Sequence, residues 1–322
     1  MFDASAIGEL LIDFTPSGVN DQGLPLYSCN PGGAPANVLA MIAILGGNTA
    51  FIGKVGKDAF GSFLRKALED SKIDVSGLAV DASCGTTLAF VHLSPSGDRS
   101  FSFYRNPGAD LLLETSEVKL DIIDESKIFH FGSVSLTGEP CRTTIFESVA
   151  YAKEKGKIIS YDPNFRPALW SDEIEAKTVI SKPIPSVDLL KVSLEEMELI
   201  TGISDVKIGS AVLAEMGPSI VLVSLGANGA YFLCSDGCGH LPAYKVDTID
   251  TTGAGDAFLG AVLYRLRNKD KKSIKSLSWR ELGDIVDFAN AAGSLATTKR
   301  GAIPAMPSLN DIKKCRNGAL NL

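Results

Sequence analysis

The sequence predicts a single α/β domain with a mostly parallel central sheet and a small β insertion near its N-terminus. Three observations lead there. From residue 126 onward, short apolar runs alternate with longer helical segments, the rhythm of successive βαβ units. No linker, low-complexity segment or internal repeat divides the 322 residues. One stretch, between about 84 and 105, breaks the rhythm with the pattern of a hairpin.

Ser5 to Phe14 is expected as the first strand, on its apolar residues Ile7, Leu10, Leu11, Ile12 and Phe14, and Leu24 to Cys29 as a short second one. Gly32-Gly33-Ala34-Pro35 then opens a helix from Ala36 to Leu45, which Gly46-Gly47 closes. Ala50 to Val55 is the next strand, and Phe60 to Ser71 a helix with Phe63, Leu64, Ala67 and Leu68 on one face. Thr86 to Leu93 and Arg99 to Arg105 flank Ser94-Pro-Ser-Gly-Asp98, which has the composition of a hairpin turn. Further on, Ile128 to Phe131, Ile158 to Tyr161, Leu189 to Val192 and Ile220 to Ser224 have the apolar character of strands buried on both faces. Helices over Pro140 to Lys155, Ser171 to Ile180, Leu194 to Thr201 and Lys207 to Met216 separate them. Two more, over 256–267 and 280–298, follow a central loop.

A hydrophobic content of 45% and a charged content of 21% describe an ordinary globular chain. The formal charge of −7 argues against a nucleic-acid or anionic-membrane surface. No apolar run reaches the ~18 residues of a membrane span, and Met-Phe-Asp-Ala-Ser lacks the basic start of a secretory signal. Six cysteines are scattered as reduced thiols would be, so the expected location is the cytoplasm. Cys234-x3-Cys238-x-His240 has no second ligand pair, and Ser-Asp-Gly inside it is turn chemistry rather than a zinc site.

The most informative stretch is Asp250-Thr-Thr-Gly-Ala-Gly-Asp-Ala-Phe258. A glycine turn feeding a helix leaves its first amides unpaired and facing outward, with the positive end of the helix dipole behind them. That is an anion site. Asp256 stands at its mouth and has two readings. It caps the helix, or it accepts the proton of an attacking hydroxyl while the amides of Gly253, Ala254 and Gly255 hold the developing charge. The commoner nucleotide loops are absent. Gly47 to Gly53-Lys54 is one residue too long for a P-loop and is followed by Val55. Gly253-x-Gly255 meets Phe258 where a dinucleotide fingerprint needs its third glycine.

Further motifs suit a small polar ligand and a nucleotide. Pro31-Gly-Gly-Ala-Pro-Ala-Asn37 brings bare backbone and an amide to a helix start, or is simply a tight turn. Asp13, an acid in an apolar run, is a diol acceptor or a turn residue. Arg166 in Asp162-Pro-Asn164-Phe-Arg166 suits phosphate or carboxylate, and Ser224-Leu-Gly226-Ala-Asn-Gly229 leaves room for a nucleotide along the backbone.

Together these residues resemble the ribokinase-like (PfkB) family of carbohydrate and nucleoside kinases over nearly the whole chain. Gly32-Gly33-x-x-x-Asn37 is similar to that family's N-terminal pattern and Asp250 to Phe258 to its C-terminal one. Within it, the motifs are most like those of fructokinases: Gly8-Glu9-Leu-Leu-Ile-Asp13-Phe14, Phe103-Tyr-Arg105-Asn-Pro107, Tyr161-Asp-Pro-Asn164 and Arg300-Gly-Ala-Ile-Pro304.

The resemblance implies a three-layer ribokinase-like fold over residues 1–322, with a β lid from about 10–30 and 84–108. It implies transfer of the γ-phosphate of ATP to the primary hydroxyl of fructose. The rival substrate is the sugar acid 2-keto-3-deoxygluconate, which Arg105 and Arg166 would pair with; a non-catalytic sugar sensor would have no need of Asp256. Asp256 would be the base, and Gly253, Ala254 and Gly255 the anion hole. Asp13, Gly32, Gly33, Asn37, Phe101, Phe103, Arg105 and Arg166 would hold the sugar. Lys191, Ser224, Gly226, Gly229 and Asn290 would lie along ATP, with Glu196 near its Mg²⁺; Ser193 stands where the family has Asn. Asp250, Thr252, Ala296 and Gly301 would frame a K⁺ site. A homodimer through the lid is expected.

Overall fold

The computed structural model describes residues 1–93 and 99–318, leaving the expected Ser94–Asp98 turn outside the described residues together with the side chains of Leu93 and 99–101. The chain starts with β1 (Phe2–Ile7), β2 (Leu11–Val19), β3 (Pro25–Gly32), α1 (Ala34–Ile44), β4 (Thr49–Gly56), α2 (Ala59–Asp70) and β5 (Ile73–Asp81). β6 (Leu88–Leu93), β7 (Arg99–Tyr104), α3 (Leu120–Asp124), β8 (Ser126–Gly132), α4 (Cys141–Glu154), β9 (Ile158–Asp162) and α5 (Glu173–Ser181) follow. Then come β10 (Leu189–Ser193), α6 (Leu194–Thr201), α7 (Val206–Glu215), β11 (Ile220–Ser224), β12 (Ala230–Cys234) and β13 (Gly237–Leu241). Four helices end the described chain: α8 (Ala254–Leu266), α9 (Lys271–Lys275), α10 (Trp279–Ala296) and α11 (Leu309–Arg316).

The strands form two sheets. A nine-stranded sheet has the order β13-β12-β11-β10-β9-β8-β1-β4-β5, parallel except at β12 and β13, and a four-stranded one has the order β3-β2-β6-β7. The expected first strand, Ser5 to Phe14, is two. β1 belongs to the large sheet and β2 to the small one, and the chain crosses between them at Gly8-Glu9-Leu10. Leu10 is buried like its neighbours, so the apolar pattern runs on unbroken through the crossing and conceals it.

Period-two alternation sorts the large sheet's side chains into two cores. Phe51, Leu189, Ile220 and Leu222 face one side, packed under α1, α8, α10 and α11. Ile52, Leu190, Val221 and Val223 face the other, under α3 to α7. Three layers result. On the second side Phe131 stacks on Tyr161 with ring centroids 4.4 Å apart, and the Tyr161 hydroxyl donates to the Ile180 carbonyl at 3.2 Å. Each such fully buried large side chain contributes about 1.5–3 kcal/mol by leaving water. No helix among the described residues is long and apolar enough to cross a membrane.

Candidate active site

Two cavities lie side by side. The smaller, about 280 Å³, is bounded by Glu9, Asp13, Asn37, Phe103, Arg166 and Asp256; the larger, about 560 Å³, by Ser224, Gly226, Gly229, Tyr244, Phe258 and Asn290. Thr251 and Gly255 border both. The glycine turn is therefore the partition between them.

The turn's shape follows from its sequence. Gly253 is the residue before α8, at φ 76° and ψ 0°, left-handed backbone that a side chain disfavours; a Cβ there would also stand 2.8 Å from that of Ala302. No side chain caps α8. The Ala254 amide turns back to the Thr251 carbonyl at 3.3 Å, so of the three amides expected to face an anion, this one is engaged within the turn. Asp250 secures the loop from below. Its Oδ1 accepts from the Thr252 amide (2.9 Å) and hydroxyl (2.7 Å), and its Oδ2 from the Gly301 amide at 3.0 Å. The Thr297 carbonyl, one residue past the end of α10 at Ala296, accepts from the amides of Ile249 and Asp250. Asp250, Thr252, Gly301 and the end of α10 thus meet, and a helix C-terminus beside a carboxylate is a donor set that suits a hard cation.

Asp256, in the first turn of α8, accepts from Asn37 Nδ2 at 2.8 Å, which joins α1 to α8 across the smaller cavity. Asn37 is buried and its Oδ1 has no partner. Burial among protein atoms pushes the Asp256 carboxyl up to about 6, with nearby Asp162 pushing the same way and Asn37, Lys191 and Arg166 pulling back. The carboxyl remains partly open to the cavity.

Lys191 borders the smaller cavity, not the nucleotide-sized one along which the resemblance placed it. Its ammonium forms a buried 2.6 Å ion pair with Asp162 Oδ2. Burial alone would lower its affinity for the proton, but Asp162, Glu196 and Asp256 outweigh that and hold it above the ordinary lysine value.

Other expected positions divide. Asp13, Gly33, Phe103 and Arg166 border the smaller cavity, whereas Gly32 lies behind it, with bare backbone against the Asp13 carboxylate that a Cβ would strike. The Phe101 side chain is outside the described residues. Arg105 is a correction to the pattern: it does not line the cavity, and its buried guanidinium pairs with buried Asp110 and donates to the Thr137 hydroxyl (2.7 Å) and to the carbonyl of the lining residue Val134 (3.1 Å) from behind. Glu196 is another. Both oxygens accept backbone amides, Phe165 at 2.6 Å and Ser193 at 2.7 Å, and Ser193 Oγ accepts the Glu196 amide in return. The pair is a capping box that starts α6, and Glu196 borders neither cavity. Its carboxylate stands close to the Asp162–Lys191 pair at the edge of the site. Asn290 borders the larger cavity, with its amide donating to the carbonyls of Leu241 and Pro242.

Residues given no role from the sequence also border the smaller cavity: Glu9, Leu11, Val134, Asn164 and Thr251. Asn164 has left-handed backbone at φ 48°, and its amide donates to Asp162 Oδ1 at 3.2 Å. The turn formed by Asp162-Pro-Asn164 was the available signal.

Phosphoryl transfer needs a donor pocket and an acceptor pocket that touch, with amides and a carboxylate at the contact. This arrangement places the protein in the class of small-molecule kinases. Residues 1–309 match the model of the pfkB family carbohydrate kinases, and the chain belongs to that family. It is 43% identical to Fructokinase-1 of Oryza sativa subsp. japonica over 318 residues, 98% of this chain and 97% of that one. Among solved structures, a fructokinase with bound ATP from Xylella fastidiosa superposes with a TM-score of 0.90 at 31% identity, over 99% of each chain. A fructokinase double mutant from Vibrio cholerae O395, in a form with fructose, ADP and potassium ion bound, gives 0.86 at 34% identity over 96% of this chain and 97% of that one.

Proposed function

We propose that the protein is an ATP-dependent fructokinase that transfers the γ-phosphate to the primary hydroxyl of fructose. The observation that carries this reading is the contact between the two cavities at Thr251 and Gly255, with Asp256 on the smaller side. The larger cavity has the volume for a nucleotide and the smaller that for a monosaccharide. ATP would lie along Ser224, Gly226 and Gly229, arriving as its magnesium complex, since Mg²⁺ is held largely by substrate phosphates and water. Asp13, Gly33, Asn37, Phe103 and Arg166 would hold the sugar, with Asn37 Oδ1 as an unused acceptor for a hydroxyl. The identity to fructokinases supports fructose itself.

A neutral sugar is favoured over a sugar acid by Arg105. Its charge is already matched by Asp110, so the cavity lacks one of the two guanidiniums that a carboxylate would need. Across fructose, ribose, glucose, adenosine and 2-keto-3-deoxygluconate, fructose should show the highest kcat/KM in a coupled ADP-release assay. A larger value for the sugar acid or for ribose overturns the substrate assignment and leaves the kinase class standing.

The Asp250, Thr252, Ala296 and Gly301 set would hold K⁺ and stiffen the turn, in keeping with the potassium ion in the Vibrio cholerae relative. Activity should rise when Na⁺ is replaced by K⁺ at constant ionic strength; equal rates remove the ion from the mechanism.

The four-stranded sheet would act as a lid over the sugar. Its edge strand β3 carries exposed Leu26 and Tyr27, a surface suited to pairing with a second copy. Sedimentation should show a dimer, and a monomer at micromolar concentration would exclude that pairing. Six free cysteines suit the reducing cytoplasm.

A further inference from the structure

Glu9 borders the smaller cavity but has no part in the phosphoryl transfer described above. It sits in the short link where the chain leaves the nine-stranded sheet for the four-stranded one. The residue is buried. Its Oε1 accepts from the Ala34 amide at 3.0 Å and its Oε2 from the Ser135 hydroxyl at 3.2 Å.

Ala34 is the first residue of α1, and this helix has no means of capping itself. Its N-cap is Gly33, at φ 113°, where a Cβ would run into the Glu9 carbonyl. Pro35 follows and carries no N–H. A helix start without a side-chain cap leaves amides exposed in a buried setting, a costly arrangement unless something else accepts from them. Glu9 does so from outside the helix, with its charge at the positive end of the helix dipole. One turn further along, Asn37 donates to Asp256 Oδ2 at 2.8 Å.

We propose that Glu9 is a positioning residue: its carboxylate fixes the first turn of α1 to the link between the two sheets, and so sets where Asn37 holds Asp256. The proposal rests on the reading of Asp256 as the base.

The charges around Glu9 come from several elements. Behind it Arg105, just past β7, pairs with Asp110, and the buried Cys141 thiol at the start of α4 lies near them. Asp13, Lys191, Arg166 and Asp256 border the cavity in front. Because Arg105 is already matched, burial dominates and pushes the Glu9 carboxyl up to about 7, with Arg105 and the Ala34 amide pulling it back. Two donors aimed at two oxygens make the ionised form the one that grips both α1 and Ser135. Protonation turns one oxygen into a donor and slackens the grip. Activity should therefore follow ionised Glu9.

Stability runs the other way. A carboxyl whose native pKa is raised binds its proton more tightly in the native state than in the unfolded one. Between about 4.5 and 7 stability falls as pH rises, and the whole cost is present at pH 8.

The test is kcat/KM for fructose against pH, with thermal melts, on wild type, Glu9→Gln and Glu9→Ala. Glutamine keeps the acceptor for Ala34 and can donate to Ser135 Oγ, but cannot ionise. At pH 8 Glu9→Gln should lose roughly tenfold in kcat/KM and Glu9→Ala roughly 100-fold, the scale of a small misplacement of reacting groups. The wild-type acid limb near 7 should vanish in Glu9→Gln, the limb near 6 from Asp256 should remain, and the variant should melt no lower than wild type at pH 8. A Glu9→Gln profile that coincides with wild type, limb near 7 included, overturns the proposal. So does lost activity that accompanies a lower melting temperature with the profile's shape unchanged. The base assignment fails separately, through near-normal turnover in Asp256→Asn, whatever Glu9 does.

Discussion

Asp256→Asn should lower turnover by roughly 10²–10⁴-fold, the usual worth of a general base, and leave the protein folded. The change is nearly isosteric, and the new amide oxygen can still accept from Asn37 Nδ2, which now reaches Asp256 at 2.8 Å. Only the capacity to take a proton is lost. A carboxyl raised to about 6 is still ionised at neutral pH, yet is a stronger base than an ordinary aspartate, as a hydroxyl deprotonation at pH 7 requires. Below the Glu9 limb near 7, wild-type kcat should fall further as pH drops through about 6, and the residual rate of the variant should lack the limb near 6. Stability again has the opposite sign. The native state holds the Asp256 proton more tightly than the unfolded chain does, so ionisation above about 6 opposes folding. Asn removes that cost, reduced to ~1–2 kcal/mol because the carboxyl is partly open to water, and should melt slightly higher at pH 8. If Asp256 were only a helix cap, turnover would stay near normal, and kinetics with a melt on one preparation decide between the two.

Much of the framework was legible in the sequence because buried parallel strands are continuous apolar runs, and β8, β9, β10 and β11 are of that kind. The helices between them carry local signals, such as Asp172 at the start of α5 and the Ser278/Glu281 capping box of α10. The strand β5 was not legible. Its sequence, Ile-Asp-Val-Ser-Gly-Leu-Ala-Val-Asp, mixes polar and apolar residues in no strict period, and its pairing with β4 shifts register. The site shows a similar division. The glycine turn with its acid announces itself over nine residues. Arg105 does not: whether a guanidinium faces the cavity or turns back to Asp110 and Val134 depends on where β7 leaves the small sheet. Glu196 is a different case. Ser193-x-x-Glu196 is a capping-box spacing readable from sequence, and the structure shows that local chemistry taking both carboxylate oxygens. The role of Glu9 was invisible for a third reason, since its partners Ala34 and Ser135 are 25 and 126 residues away.

Lys191→Met should both destabilise the protein by about 3–5 kcal/mol and lower turnover by roughly 10²-fold or more. Methionine keeps the length of the side chain and removes the ammonium. Asp162 is buried and receives that ammonium at 2.6 Å, so the variant strands a carboxylate that cannot regain water. Asp256 loses a charge that now pulls its proton affinity down, while Asp162 still pushes it up. The acid limb of kcat should therefore move above its wild-type position near 6, leaving less of the base ionised at neutral pH. Lys191→Arg should not rescue it. The ammonium stands so near the turn that a Cβ on Gly255 would lie 3.0 Å from Nζ, and a planar guanidinium has no room there. The double variant Lys191→Met with Asp162→Asn separates structure from chemistry. Removing both charges together should restore most of the urea midpoint, because no unpaired ion remains at the pair, but not the turnover, because the glycine turn still lacks the ammonium beside Gly255. An Lys191→Met protein with an unchanged urea midpoint and near-normal turnover would remove Lys191 from both roles. Recovery of turnover along with stability in the double variant would make the lysine a structural partner of Asp162 and nothing more.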